Sequence, residues 1–205
     1  KDKGIRSEVV KPHDEHTKKL NEVYAEYERQ CQREGVADFA ELLLRCIELF
    51  TNNSVIRNHY QSIFKHILVD EFQDTSSLQY QWLKLLTSKE SFIFAVGDDD
   101  QSIYGFRGAR VGNMKDFEKD YKIKNVIKLE QNYRSKNNIL NTANAIIDNN
   151  KNRLGKNLFT DSGDGDLVRQ YTALSEVDEA NFIIDEIKML HREGLRYDQF
   201  AILYR

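Results

Sequence analysis

Two short apolar runs, each ending in acidic residues, constrain this chain more than any other feature. Ile67, Leu68 and Val69 run into Asp70 and Glu71, and Phe92, Ile93, Phe94, Ala95 and Val96 run into Gly97 and Asp98. Unbroken aliphatic and aromatic runs of this length predict buried strands of a parallel sheet. The acidic ends lie 28 residues apart (98 − 70), about one βαβ unit, and Leu78, Trp82, Leu85 and Leu86 form the apolar face of the helix between them. A right-handed crossover puts both strand ends on one side of the sheet, where open α/β sheets bind ligands.

The flanking sequence continues the alternation. Leu20, Val23, Tyr24, Tyr27 and Cys31 form a helical stripe between Asp14 and Arg33. Asp38 with Glu41 resembles a capping box, after which Phe39, Leu42, Leu43, Cys46, Ile47 and Phe50 predict a broad apolar face. Further on, strands are expected at Val126 to Leu129, Leu167 to Thr172 and Phe200 to Tyr204. Helices are expected from Ser135, with Ile139, Ala143, Ile146 and Ile147 inward, and from Ser175, with Asp178 completing a capping box and Gly194 as the stop. The polar stretch Asn149 to Asp166 reads as a flexible loop, and a break between two α/β modules is expected near Tyr121 to Asn125.

Composition narrows the function classes. With 40% apolar residues, 31% charged and one proline in 205 residues, the chain reads as a soluble, helix-rich globular protein with no segment long enough to span a membrane. Thirty basic against 33 acidic residues give a net charge of −3, so any contact with nucleic acid must be a focused patch. Cys31 and Cys46 fall within amphipathic helical patterns and read as core thiols rather than metal ligands or a disulfide. That usage and the lack of a secretion signal point to the cytoplasm. An opening without Met and a close on an apolar run suggest an internal piece of a longer protein.

The chemistry sits at the strand ends. Magnesium takes hard oxygen ligands and keeps several waters, so Asp70 can hold its shell while Glu71 orients or deprotonates an attacking water. Adjacent acids after a strand can equally solvate a turn, and it is the second strand end that favours chemistry. There, Val96 to Ala109 is a glycine-containing loop in which Gln101 can donate its amide to a phosphate oxygen or to water. Between Gln101 and Lys115 there is no acid, and Arg107, Arg110 and Lys115 interleave with Tyr104 and Phe106. Such a mix grips single strands by base stacking and phosphate charge.

Asp70-Glu71-Phe72-Gln73-Asp74-Thr75, the loop from Val96 to Ala109, and Gln131-Asn132-Tyr133-Arg134-Ser135 resemble motifs II, III and IV of the UvrD/Rep/PcrA-like superfamily 1 helicases in order and spacing. Asp38 to Leu44 resembles the acidic-aromatic motif before motif II, and Ala201 to Arg205 the strand that begins motif IVa. The resemblance implies parts of two RecA-like P-loop NTPase domains: residues 1–32 as the end of the helical 1B insertion, 33–121 as the second half of domain 1A, and 122–205 as the first part of 2A. It implies an ATP-dependent 3′-to-5′ DNA translocase using ATP and Mg2+ on single-stranded DNA and duplex junctions, in repair or replication. Asp70 would hold the metal, Glu71 activate water and Gln101 sense the γ-phosphate. Tyr133 would lie on adenine and Arg134 reach the γ-phosphate, while Tyr104 and Phe106 stack on bases beside Arg107. Where the family has Arg-Trp this chain has Gly105-Phe106, which reduces stacking area and removes one cation.

A phosphate-cradling Gly-x-x-x-x-Gly-Lys-Ser/Thr is absent, since the only Gly-Lys, Gly155-Lys156, is followed by Asn157 and preceded five positions earlier by Asn150. The chain alone is therefore expected to be inactive as an ATPase. Alternative readings are the helicase subunit of a RecB/AddA-type helicase-nuclease and a non-catalytic DNA-binding module. Accessory partners are not readable from these residues.

Overall fold

Helix α1 (Glu15–Glu34) begins where the Asp14 carboxylate accepts the Thr17 amide, and ends at Gly35, whose φ of 67° suits a residue without Cβ. The computed structural model describes residues 1, 4–151 and 153–204. Its remaining helices are α2 (Phe39–Asn52), α3 (Ser54–Ile63), α4 (Ser77–Leu86), α5 (Gly112–Asp120), α6 (Asn137–Ile147) and α7 (Glu176–Arg192), and its strands are β1 (His66–Val69) and β2 (Phe92–Ala95). By contact the chain divides into two compact units, residues 1–129 with 149–156, and residues 130–148 with 157–205.

In the first unit β1 and β2 pair in parallel, Ile67 opposite Ile93 and Val69 opposite Ala95. The mixed α/β class and the parallel pair agree with the sequence, but burial does not match on both faces. Ile67, Val69, Ile93 and Ala95 pack on a core of Phe72, Tyr80, Leu83 and Phe117. The alternate residues point away, leaving Leu68 77% exposed, because nothing among the described residues covers that face.

A second core of Leu44, Ile47 and Leu78 joins α2 to α4. The apolar face of α2 is rotated from the expected one: Glu41, Leu44, Ile47 and Phe50 are buried, Cys46 is exposed and Cys31 half-buried. The cause is Glu41, turned inward to meet Arg6 at 2.6 Å and Lys1 at 2.9 Å. Asp38 still caps the Glu41 amide, but with its side chain engaged Glu41 does not return the bond. A complete capping box forms instead between Ser76 and Gln79. Helix α3, which the apolar pattern does not announce, starts from the Asn53 side chain accepting the Ile56 amide.

The stripe of α1 stays largely uncovered, with no buried residue. Polar contacts hold the helix instead: Arg6 bridges Glu28, Glu41 and Glu48, and the Tyr24 hydroxyl donates to the Ile5 carbonyl.

In the second unit α7 is capped by Ser175, and Gly194 follows it at φ 113°. Asp178 accepts from the Leu174 amide and the Tyr171 hydroxyl rather than closing the expected box. The strands expected at 126–129, 167–172 and 200–204 do not form among the described residues. A strand persists only where its N–H and C=O groups meet a neighbouring strand, and the described residues of this part of the chain supply only an isolated bridge between Gln131 and Phe159. Arg205, last in the segment likened to motif IVa, lies outside the described residues.

Candidate active site

The end of β1 turns sharply at Glu71, which adopts φ 49°. This left-handed conformation is uncommon for a residue with a Cβ, costs on the order of 1 kcal/mol or more, and concentrates at functional turns. Asp70 precedes it, exposed, with one carboxylate oxygen accepting the Glu71 amide and no ion-pair partner among the described residues. It is therefore available as a hard oxygen donor, and the pair fits the requirements of a magnesium ion. The chain then enters a 3-10 turn, Phe72–Asp74, whose first two residues are buried.

The two strand ends are fastened together. Val96 N–H donates to the Val69 carbonyl and Phe72 N–H to the Val96 carbonyl. The Gln73 amide donates to Glu71 Oε2 at 2.7 Å and its Oε1 accepts the Asp98 N–H at 2.8 Å. Asp98 Oδ2 in turn accepts from Gln101 Nε2 at 2.6 Å, so Glu71 and Gln101 stand at the two ends of one hydrogen-bonded chain. Farther along, Arg110 N–H donates to the Thr75 carbonyl, and Asn113, fully buried, donates to Thr75 and Ser76.

Asp98, Asp99 and Asp100 bring carboxylate oxygens within 4.8 Å of one another, yet each already meets a protein donor and two of them a cation. Arg153 meets Asp100 through two nitrogens at 3.0 and 2.7 Å, the Leu154 N–H donates to Asp99 at 2.6 Å, and Lys156 pairs with Asp98. Burial opposes ionisation of Asp98, but Lys156 and Gln101 outweigh it and hold the carboxyl below its ordinary range. The segment read as a flexible loop is thus pinned by charge.

Beyond Gln101, Tyr104 and Phe106 lie 6.0 Å apart with rings tilted by 53°, and Phe106 is 79% exposed. The Arg107 guanidinium sits 4.8 Å from the Tyr104 centroid and 5.3 Å from that of Phe106, so the three form one cationic, aromatic surface.

Tyr133 and Arg134 belong to the second unit. Tyr133 is 83% exposed, its hydroxyl donating to Gln131 Oε1 at 2.8 Å. The Asn132 side chain accepts the Arg134 and Ser135 amides, which fixes the turn before α6. The roles of Gln73, Asn113, Arg153 and Lys156 were not legible in the sequence. Polar residues are ordinarily read as surface, and only the turn after β1 gave any signal for the first.

Known proteins with similar sequences bear on these loops. The family described as "UvrD/REP helicase N-terminal domain" matches residues 1–122, and the "UvrD-like helicase C-terminal domain" matches residues 127–205. DNA helicase II of Haemophilus influenzae is 48% identical over 206 aligned residues, covering 100% of this chain and 28% of that protein. DNA helicase II of Escherichia coli K12 is 47% identical, with 100% and 29% covered. The ATP-dependent DNA helicase PcrA of Staphylococcus aureus Mu50 is 46% identical over 192 residues, with 94% and 26% covered. The chain spans a little over a quarter of the length of the curated relatives it matches.

Proposed function

The chain belongs to the UvrD/REP helicase family, and on that premise we propose that it is the central part of an ATP-dependent DNA helicase moving 3′-to-5′ on single-stranded DNA in repair or replication. The observation that carries the reading is the bonded chain from Glu71 through Gln73 and Asp98 to Gln101. It ties a carboxylate suited to water activation to an amide suited to phosphate sensing.

In this proposal residues 1–32 close the 1B insertion, 33–121 complete domain 1A and 122–205 begin 2A. Asp70 would hold Mg2+, which when bound neutralises charge on the phosphate oxygens. Glu71 accepts a proton from the attacking water, and Gln101 donates to the γ-phosphate or to that water. Tyr133 offers an exposed ring to adenine, and Arg134 supplies positive charge to the γ-phosphate in the manner of an arginine finger. Tyr104, Phe106 and Arg107 grip the single strand by stacking and charge. The chain alone lacks a phosphate-cradling loop and is expected not to turn over ATP.

The test is unwinding by the full-length protein of duplexes carrying either a 3′ or a 5′ single-stranded tail. The proposal expects ATP-dependent unwinding from the 3′ tail, abolished by Arg134→Ala. Unwinding from the 5′ tail only, or none with ATP present, would refute it.

A further inference from the structure

Gln73 is 1% exposed, and both ends of its amide are used. Nε2 donates to Glu71 Oε2 and Oε1 accepts from Asp98 N–H. A primary amide is the side chain suited to this place, since it donates to a carboxylate while accepting from a backbone N–H. Glutamate would bring two acceptors and methionine neither partner. The surroundings are shaped around it: a Cβ on Gly97 would stand 2.9 Å from Gln73 Oε1.

Glu71 needs such a partner. Its backbone is in the left-handed region and its side chain is exposed, so neither packing nor helix geometry fixes the carboxylate. Among the described residues the bond from Gln73 is the only one that reaches it, and it engages Oε2 while leaving Oε1 for water. The other end of the same amide holds the backbone of Asp98, whose carboxylate holds Gln101.

We propose that Gln73 is a positioning residue for ATP hydrolysis, orienting the Glu71 carboxylate toward the attacking water and fixing the Gln101 loop relative to it. This rests on the water-activating role of Glu71 proposed above. Buried as it is, Gln73 acts through Glu71 and Asp98.

The experiment uses the full-length protein with Gln73→Glu, which keeps an acceptor for Asp98 N–H but replaces the donor to Glu71, and Gln73→Met, which removes both. In each, kcat for DNA-stimulated ATP hydrolysis should fall at least about ten-fold, while KM for ATP and affinity for single-stranded DNA stay within about two-fold. Turnover within about two-fold of the unsubstituted protein in both variants overturns the proposal. So does loss of the thermal unfolding transition in both, which would make Gln73 a packing residue only. Glu71→Gln is measured alongside. Normal turnover there removes the premise, whereas an inactive Glu71→Gln beside normal Gln73 variants removes only this inference.

Discussion

The two units of the chain place their candidate site residues by different physical means. In the first, one apolar core lies beneath a parallel strand pair and a second joins α2 to α4, and the loops after β1 and β2 are joined by backbone and side-chain hydrogen bonds. In the second, Leu140 is the only buried residue among those described, and the turn bearing Tyr133 and Arg134 is set locally by Asn132. Core packing therefore fixes one group of residues through contacts distant in sequence, and turn chemistry fixes the other within three positions. Damage to the core should reach the first site and leave the second turn intact.

The largest effect should come from Phe72, 2% exposed and packed against Tyr80 and Phe117. Phe72→Ala is expected to cost about 3–5 kcal/mol, whereas Leu174→Ala, at a residue 97% exposed in the second unit, should stay within about 0.5 kcal/mol. Urea unfolding followed by the fluorescence of Trp82, the single tryptophan, reports the first unit, and far-ultraviolet circular dichroism on the same samples reports the helices of both. Equal losses would break the comparison.

Next is acid sensitivity. Burial works against ionisation of Glu41, but Arg6, Lys1 and Arg45 outweigh it and bring the carboxyl from an ordinary 4.5 to about 2. Because the folded value is depressed, the contribution is complete above 4.5 and lost as pH falls toward 2. Glu41→Gln should flatten the dependence of Trp82-detected stability on pH across that interval, and an unchanged slope would exclude Glu41 as its source.

Smaller effects separate close packing from backbone preference. Gly97→Ala places a Cβ 2.9 Å from Gln73 Oε1 and 3.2 Å from Phe72, and should cost about 1–3 kcal/mol through overpacking. Gly163→Ala meets nothing within 4 Å but has φ 81°, and should cost about 1 kcal/mol from backbone strain alone. Thermal melts of the two variants rank them. The caps provide the finest comparison: Ser76→Ala and Ser175→Ala each remove one side-chain bond to a helix amide and should each cost about 1 kcal/mol. A much larger loss at Ser76 in the same melts would show that its reciprocal bond with Gln79 adds stability beyond the single cap.

Features carried by local pattern were readable in the sequence. The apolar runs at Ile67 and Phe92 became β1 and β2, and Asp14, Asp38 and Ser175 each begin a helix. Features carried by partners distant in sequence were not. The inward turn of Glu41 depends on Arg6, 35 positions away, and it rotates α2 so that Cys46 faces out. The acids after β2 meet Arg153 and Lys156, which no spacing rule connects to them. Strand propensity at Val126 to Leu129 is satisfied only if a neighbouring strand exists, and the described residues supply none. Asp70, Glu71 and Gln101 were legible as candidates because they follow strands. Gln73 was not, because a buried amide looks like any polar residue until its two partners are known.

The decisive measurement is single-turnover hydrolysis of ATP by the full-length Glu71→Gln protein bound to single-stranded DNA, with nucleotide and DNA affinities measured on the same sample. Both ligands should bind within about two-fold of the unsubstituted protein while the hydrolysis rate falls by roughly 100-fold or more. A near-normal rate would contradict this and move the proton acceptor away from the end of β1.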